Sequence, residues 1–357
     1  MGFGWWKSTK TTAQLPDQLQ AVFQQFSHDA LPLPLPELLV STKYSDSLLE
    51  LVLPFAATSV HAPLSIALAE AGFQGTLSLS SVNQTSFSFK SIRQIVLVAS
   101  GKGGVGKSTT AVNLAIALAQ QGAKVGLLDA DIYGPSIPTM FGALSEKAQS
   151  PDNKHMQPLH KFGIYMQSIG FLVDPEQATV WRGPMASQAL LQLLNETIWP
   201  ELDYLIVDLP PGTGDIQLTL SQKLPVAGAV IVTTPQDVAL ADAKKAIAMF
   251  RQVNIPILGL VENMSFYLCK ACGHQDDIFG TKGGVTLAER YQVSVLGQLP
   301  LETQIRECAD NGRPIVLNDD NQTAEIYRKI ARQLIFTLYW QSQMAERQQP
   351  EILLTDD

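Results

Sequence analysis

A glycine-rich segment places the tightest constraint on how this chain can fold. The run SGKGGVGKSTT follows the apolar stretch IVLVA and leads into the helical pattern AVNLAIALAQ. It contains G-x-x-x-x-G-K-S from Gly101 to Ser108, a pattern that binds nucleotide phosphates when a strand precedes it and a helix follows it. Glycines let backbone N–H groups turn toward the phosphates, and the helix adds its positive N-terminal end. We therefore predict a nucleotide-binding α/β domain.

The other apolar runs favour the same fold class. Short stretches rich in Val, Ile and Leu alternate with helical patterns, and several are apolar at nearly every position, as strands buried on both faces are. This alternation predicts βαβ units, and hence a mainly parallel sheet flanked by helices. The predicted strands are QIVLVAS, KVGLLDA, YLIVDLP, GAVIVTT, ILGLVEN and VSVLGQLP.

We predict four segments along the chain. A small α+β domain over 1–86 and a linker over 87–93 precede the nucleotide-binding domain over 94–345, and a polar tail covers 346–357. In the first domain, DQLQAVFQQF has helical spacing, SLLELVLPFA alternates like a strand, and APLSIALAEAGF indicates a second helix. The prolines of LPLPLPELL predict an extended stretch and exclude a helix there.

Composition limits the class of protein further. The chain has 357 residues, of which 46% are apolar and 16% charged, as is typical of a globular protein. A formal net charge of −8 does not suggest nucleic-acid binding. No apolar run approaches the roughly 20 residues that span a membrane, and three cysteines do not make a disulfide scaffold. Because the N-terminus also lacks the apolar core of a signal peptide, we predict a cytoplasmic protein that binds neither nucleic acid nor a membrane.

Charged and hydroxyl side chains around the loop carry the predicted chemistry. Lys107 would reach the β- and γ-phosphates of the nucleotide, and Ser108 would bind Mg²⁺. LLDADIYGPS places Asp129 and Asp131 at the carboxyl end of a strand, where α/β sheets bind ligands, and LIVDLPPGTGD places Asp208 in the same kind of position. We predict that Asp208 holds the magnesium ion through a water and that Asp131 orients the attacking water.

A second lysine, Lys102, stands at the start of the loop. One loop can hardly aim two lysines at its own nucleotide, so Lys102 is predicted to reach the nucleotide of a facing subunit as a trans-acting charge. The loop residues predicted to contact nucleotide are Gly101, Lys102, Gly103, Gly104, Val105, Gly106, Lys107, Ser108 and Thr109.

Two of the three cysteines form a C-x-x-C pair, Cys269 and Cys272, in SFYLCKACGH. A tetrahedral zinc site or an iron–sulfur cluster takes about four ligands, so this pair supplies half of one. His274 is the nearest histidine, and it is more easily interpreted as a polar loop residue than as a ligand. Cys308 lies in QIRECADNG, where a lone cysteine is usually a small buried residue.

Taken together, the motifs resemble a known family. GKGGVGKST, with its second lysine, is similar to the deviant Walker-A ATPases, which include the nitrogenase iron protein, MinD and ParA. Within that group, LDADIYGPSIPTM, WRGPM, LIVDLPPGTGD, VENMS followed by C-x-x-C, and GGVTLAERY resemble the Mrp-type (ApbC) iron–sulfur cluster carriers. The resemblance runs from about Ile92 to Leu338. The N-terminal segment resembles, more weakly, the small domain that often precedes the ATPase in bacterial Mrp proteins.

The resemblance implies a P-loop NTPase fold and a weak, switch-like ATPase that uses ATP and Mg²⁺ and carries a [4Fe–4S] cluster. It implies that Lys102 contacts nucleotide in the facing subunit, that Asn263 contacts the adenine, and that the loop around Pro300 flanks the base. Two C-x-x-C pairs brought together by a two-fold axis supply four thiolates, so Cys269 and Cys272 would bind one cluster per homodimer. The implied partners are apo iron–sulfur proteins and cluster scaffold proteins.

Two other functions remain open on the residues alone. A MinD- or ParA-like positioning ATPase would bind a membrane or a nucleoid, and the closing pattern AEIYRKIARQLIFTLYW is amphipathic and basic enough to suggest the former. We nevertheless expect that helix to pack on the sheet. A zinc-stabilised ATPase adaptor would instead use CKACGH as half of a zinc ribbon.

Overall fold

The chain forms two compact units. The computed structural model of the protein describes residues 15–83, 85–172, 183–269 and 271–347. By their contacts these residues divide into one unit from Met1–Thr85 and Ile335–Asp357, and another from Ser86–Leu334. Residues 335–345 therefore group with the smaller unit, whereas the sequence prediction assigns them to the nucleotide-binding domain. Most of the predicted tail and part of the WRGPM motif lie outside the described residues.

The smaller unit contains a three-stranded sheet. Its strands run in the order β1-β2-β3, antiparallel between β1 and β2 and parallel between β2 and β3. Every second residue of β2 is buried, as the alternation predicts. The elements are α1 (Asp17–Gln25), α2 (Leu35–Leu38), β1 (Ser41–Ser45), β2 (Leu48–Leu53), α3 (His61–Glu70) and β3 (Thr76–Ser81).

The proline-rich stretch corrects one prediction. Leu35–Leu38 forms the short helix α2, with Pro36 in its first turn. Proline is tolerated there because the first N–H groups of a helix have no intrahelical partner. Leu35 and Leu38 are both buried, so packing of the turn against the core favours a helix where the prolines alone predict an extended chain.

The larger unit is built on a nine-stranded, mainly parallel sheet, which confirms the predicted fold class. The strands are β4 (Ile92–Ala99), β5 (Val125–Asp129), β6 (Leu159–Lys161), β7 (Ile164–Ser168), β8 (Leu202–Asp208), β9 (Val226–Thr233), β10 (Ile257–Leu268), β11 (Gln275–Asp276) and β12 (Val295–Pro300). The helices are α4 (Lys107–Gln120), α5 (Ile137–Met140), α6 (Gly183–Glu196), α7 (Asp215–Lys223), α8 (Asp237–Gln252), α9 (Gly283–Tyr291), α10 (Thr303–Asp310) and the first part of α11 (Gln322–Arg347), which continues into the smaller unit from Ile335. Short 3-10 turns cover Thr58–Val60, Ile169–Phe171 and Ile315–Leu317.

Strand order determines which loops meet. The order is β11-β10-β9-β4-β8-β5-β7-β6, with β12 paired to β10. Among the described strands of this sheet, β11 and β6 at the two ends run antiparallel to their neighbours and the others run parallel. The central strands β4, β8 and β5 are almost wholly buried, as a sheet covered by helices on both faces requires. Because parallel strands end at one edge, the loops after β4, β5 and β8 meet there.

The closing helix α11 packs by its apolar face. Ile330 and Leu334 are fully buried, as expected from their spacing. Two of its arginines are held in ion pairs: Arg328 lies 2.8 Å from Asp319, and Arg332 lies 2.8 Å from Glu325. Within the part of the chain that the structure describes, no helix is both long and apolar enough to cross a membrane.

Candidate nucleotide site and cysteine hairpin

The phosphate loop joins β4 to α4, as predicted. Gly106 precedes the helix with φ +84°, a left-handed conformation that glycine adopts without steric cost. Gly101 is required for another reason, since a Cβ there would lie 2.2 Å from the backbone carbonyl carbon of Asp242 in α8. Helix α8 therefore packs directly against the start of the phosphate loop.

Lys107 lies at the centre of a buried charge cluster. Its Nζ is 2.6 Å from Asp208 Oδ1, 3.1 Å from Ser108 Oγ and 3.9 Å from Asp131 Oδ2. Val98 of β4 pairs with Asp208 of β8, so the strand order itself brings the lysine and the carboxylate together. The lysine is only 6% exposed, and its charge therefore has the low-dielectric setting in which electrostatic contacts are strong.

Asp208 has an oxygen that suits a magnesium site. The residue is fully buried, and burial raises its pKa while the charge of Lys107 acts in the opposite direction. Its Oδ2 has no hydrogen-bond partner among the described residues. An unpartnered buried carboxylate oxygen is costly unless a ligand uses it. Together with the Ser108 hydroxyl, it offers the hard oxygen ligands that Mg²⁺ prefers.

The two aspartates after β5 differ in their surroundings. Asp129 accepts hydrogen bonds from Ser168 Oγ at 3.0 Å and from the backbone N–H groups of Asp131 at 3.2 Å and Ile137 at 3.3 Å. Burial, and then the charge of Asp208, raise the pKa of Asp129 to about 7. These hydrogen bonds hold the backbone of the loop that carries Asp131 against the Asp129 carboxylate. Asp131 itself is partly exposed beside Lys107, and burial raises its pKa as well.

Ser100 connects two loops at the mouth of the site. Its hydroxyl donates to the Lys102 carbonyl at 2.9 Å, and its own carbonyl accepts from the Gly212 N–H at 2.9 Å. The loop after β8 is therefore fastened to the start of the phosphate loop. The Lys102 side chain is exposed, and no carboxylate in the described ranges forms an ion pair with it.

Asn263 lies against the phosphate loop. Its Nδ2 donates to the Val105 carbonyl at 2.9 Å, and a Cβ on Gly106 would come within 2.1 Å of the same nitrogen. Thr109 lies in the first turn of α4, where its carbonyl accepts from Asn113. The structure thus gathers the predicted loop residues with Asp131, Asp208 and Asn263 around one edge of the sheet.

A cavity of about 500 Å³ opens beside the ends of β10 and β12. Pro300, Leu301 and Glu302 line one side of it, whereas Asn263 is not among its lining residues. Glu302 accepts a hydrogen bond from Thr323 Oγ1 at 2.8 Å. The other lining residues are Phe266, Tyr267, Leu268, Thr303, Glu307, Asp320, Asn321, Gln322, Thr323 and Ile326.

The cysteine pair lies on a short hairpin at the edge of the sheet. Leu268 of β10 pairs with Gln275 of β11, and the Cys269 N–H donates to the His274 carbonyl at 2.9 Å. The Gly273 N–H returns to the Cys269 carbonyl at 2.8 Å, with Gly273 at φ +72°. Cys269 is half-buried and Cys272 is exposed. The turn therefore holds both thiols at the surface.

The hairpin favours a thiolate but does not complete a metal site. The backbone N–H of Cys272, followed by that of Ala271, lowers the pKa of the Cys269 thiol, because N–H groups directed at sulfur stabilise the thiolate. Among the residues described, no three His, Cys, Asp or Glu side chains are arranged to hold a metal ion, so His274 completes no site with the two thiols.

Cys308 corrects another prediction. It was predicted to be buried, but it is half-exposed on α10, a helix with no buried residue. Partial burial, and then the charges of Glu302 and Glu307, raise its pKa, which makes it a poorer thiolate than Cys269.

The roles of several residues at or beside the site could not be predicted from local sequence patterns. Ser168 contacts Asp129, and the buried Glu262 contacts Gln298, only because distant segments of the chain meet. A serine that bonds an aspartate 39 positions away has no spacing signal of its own. Only the position of Ser100, directly before the glycine-rich run, gives any indication of its role.

A phosphate loop between strand and helix, beside two strands that end in aspartates, defines a P-loop NTPase. The family model described as "NUBPL iron-transfer P-loop NTPase", of the ParA group, matches residues 91–335. The chain belongs to this family, which confirms the resemblance to Mrp-type carriers.

Relatives and solved structures agree with this assignment. An iron–sulfur cluster carrier protein of Haemophilus influenzae is 49% identical over 94% of this chain and 95% of its own length. A carrier of the same name from Escherichia coli K12 is 58% identical over 71% of this chain and 69% of its own. A nucleotide-binding protein from Archaeoglobus fulgidus, solved with ADP, is 40% identical, with a TM-score of 0.56 over 62% of this chain and 88% of that one. The cell-division ATPase MinD of Pyrococcus furiosus is 21% identical with a TM-score of 0.50, over 68% of this chain and 98% of that one, and shows the fold alone.

Proposed function

We propose that this protein is an ATP-binding iron–sulfur cluster carrier. Two copies hold one [4Fe–4S] cluster between them and transfer it to apo-proteins, and slow ATP hydrolysis acts as the switch. The observation that carries the proposal is the half-built metal site: two surface thiols on a fixed turn, with no further ligand in the described part of the chain. The family assignment and the names of the relatives support the choice of an iron–sulfur cluster as cargo.

The phosphate loop is the proposed ATP site. Lys107 holds the β- and γ-phosphates after it leaves Asp208, and Asp131 orients the attacking water. Ser108 and Asp208 hold Mg²⁺, which would neutralise charge on the phosphates when bound. Lys102 supplies a positive charge to the nucleotide of the partner subunit, a role that its exposure and its position at the loop's mouth support. The related nucleotide-binding protein from Archaeoglobus fulgidus, which was solved with ADP, supports nucleotide as the ligand.

The base is proposed to lie near Asn263 and the Pro300 loop. The cavity beside Pro300 has space for a purine. Asn263 does not line that cavity but lies against the phosphate loop, and its amide can donate to and accept from a base edge. In this structure the Asn263 amide donates to the Val105 carbonyl. Binding of the base would therefore exchange one hydrogen bond for others.

Cluster transfer is proposed to be ligand exchange. Thiolates of an apo iron–sulfur protein replace Cys269 and Cys272 on iron, one after another, and no electron is gained or lost. Tyr267 and Leu268 before the turn are more than a third exposed, and Ile278 after it is 52% exposed. Apolar side chains around a surface thiol pair suit contact with a second protein chain. Scaffold proteins that build the cluster are the proposed donors.

Reconstitution tests the proposal directly. The purified protein would be loaded anaerobically with iron and sulfide, and its absorbance spectrum recorded before and after mixing with an apo-acceptor, with and without ATP. We expect a cluster spectrum and recovery of acceptor activity. Tightly bound zinc that iron fails to replace would indicate the zinc-stabilised adaptor instead. Sedimentation with lipid vesicles or DNA in the presence of ATP would indicate a positioning ATPase.

A further inference from the structure

Strand β10 contains an irregular joint between the phosphate loop and the cysteine hairpin. Against β12, Glu262 pairs with Gln298 and Phe266 pairs with Pro300, so four positions along β10 match two along β12. Met264, inside this interval, has φ +54°. Left-handed backbone at a residue other than glycine costs on the order of 1–3 kcal/mol and persists only where surrounding contacts hold it. We call residues 262–265 the joint.

One side of the joint touches the nucleotide site. Asn263 donates to the Val105 carbonyl, and its nitrogen occupies the space where a side chain on Gly106 would lie. The residue is 6% exposed. The strand and the phosphate loop therefore cannot shift independently while this hydrogen bond exists.

The other side of the joint is fixed by a buried polar network. Glu262, 0% exposed, accepts from Ser265 Oγ and from Gln298 Nε2 at 2.8 Å, and Gln298 also donates to Ser265 Oγ at 3.0 Å. The second oxygen of Glu262 accepts from the Gly284 N–H in the first turn of α9. No lysine or arginine within the described ranges pairs with this carboxylate, so its charge is stabilised by these donors and the helix terminus.

Beyond the network the strand leads directly to the thiols. The Leu301 N–H donates to the Phe266 carbonyl at 2.7 Å, and Leu268 begins the hairpin that carries Cys269. Asn263 and Cys269 are six positions apart, which is about 20 Å along an extended strand. Between these two residues, the joint is where the pairing of β10 with β12 is irregular.

We infer that the joint couples nucleotide binding to the position of the cysteine hairpin, with Glu262, Ser265 and Gln298 as positioning residues. When the base binds, Asn263 releases the Val105 carbonyl, the strained segment rearranges about the Glu262 network, and the hairpin shifts. This inference rests on the proposed nucleotide site. It assigns a coupling function to a buried carboxylate that neither ATP binding nor cluster binding otherwise requires.

Hydrogen exchange on metal-free protein tests the coupling without any cluster. Exchange of the hairpin peptide would be followed by mass spectrometry with and without saturating ADP and Mg²⁺, with ADP binding measured separately by calorimetry. Light scattering would show that both samples have the same oligomeric state. We expect ADP to change the exchange rate of the hydrogen-bonded amides of Cys269 and Gly273 at least fivefold, a typical coupling between sites.

Variants test whether the effect of ADP on the hairpin depends on the joint. Asn263→Ala and Ser265→Ala should each reduce the ADP-dependent change to less than twofold, and Gly284→Ala should do the same by displacing Glu262, whose oxygen lies 2.3 Å from the added Cβ. The control is Asn195→Ala, which removes the same kind of bond, from a side-chain amide to the Leu191 carbonyl, at a distant helix. It should leave the change intact.

The outcomes distinguish this inference from the proposed function. Wild-type protein that binds no ADP would contradict the proposed nucleotide site. Wild-type protein that binds ADP with no change at the hairpin would overturn the coupling. A Ser265→Ala protein that binds ADP and responds like wild type would overturn the positioning role of the network, and this variant remains informative if Asn263→Ala binds nucleotide poorly.

Discussion

The phosphate loop and the cysteine hairpin lie on the same unit but differ in burial and in the number of ligands that each provides. The loop is supported by buried strands, and its charged groups already contact one another: Lys107 is 6% exposed and Asp208 is fully buried. The hairpin is held by a strand of two residues and carries thiols at the surface. One site offers nearly all its ligands within the chain, whereas the other offers two of about four.

This difference indicates what each site does. A preorganised, desolvated site suits a ligand whose charges must be held in a fixed geometry. A shallow half-site suits a cargo that has to be shared between chains and then released, because exposed ligands can be exchanged one at a time.

The largest effect is expected from Lys107→Ala. Removing the charge that faces the phosphates should lower ATP hydrolysis by about 10²–10³-fold and sharply weaken nucleotide binding. Hydrolysis kinetics and calorimetry would measure both effects. Thermal unfolding would measure the loss of stability that follows when the buried Asp208 loses its charged partner. Lys124→Ala, at an exposed lysine, is the control. Wild-type turnover in Lys107→Ala would contradict the assignment of the loop.

Removing either thiol tests the opposite site. Cys269→Ala and Cys272→Ala should each reduce bound iron after reconstitution to background and abolish cluster transfer. ATP binding should stay at the wild-type level, because neither side chain belongs to the phosphate site. Iron analysis and nucleotide titration of the same preparations would measure the two effects. A cluster retained in both single variants would exclude this hairpin as the site.

Lys102→Ala addresses the contact between subunits. It should retain ATP affinity within about threefold, because an exposed charge contributes little to binding, but lose hydrolysis by about 100-fold, because one charge that stabilises the transition state is removed. Mixing it with Lys107→Ala should restore part of the activity, since one heterodimer site combines an intact loop with an intact trans lysine. If heterodimers form, as native mass spectrometry would show, and no activity returns, Lys102 acts within its own subunit.

The smallest effect is expected from Cys308→Ala. The thiol is half-exposed on α10, so the free energy of unfolding should change by less than about 1 kcal/mol, and bound iron should be unchanged. Denaturant unfolding and iron analysis would measure this. Loss of iron would add a third cysteine to the site and contradict a half-site of two thiols per chain.

The sequence predicts the loop well and the hairpin's surroundings poorly, for a physical reason. Glycine spacing, Lys107, Ser108 and the strand-end aspartates are local patterns, and parallel strands bring their ends together under any strand order of this class. The bond between Asn263 and Val105 and the network at Glu262 join segments up to 158 positions apart. No local spacing specifies such contacts. Pro36 and Cys308 show the same limit, since burial at each depends on neighbours that only the fold supplies.

In the proposed function, two chains share one cluster. Native mass spectrometry of anaerobically reconstituted protein, combined with iron and sulfide analysis, measures it most directly. We predict a dimer that carries about four irons and four sulfides, and that becomes a cluster-free protein when either Cys269 or Cys272 is replaced. A cluster held stably by a monomer, or one zinc ion per chain that iron does not displace, would contradict a cluster shared between two chains.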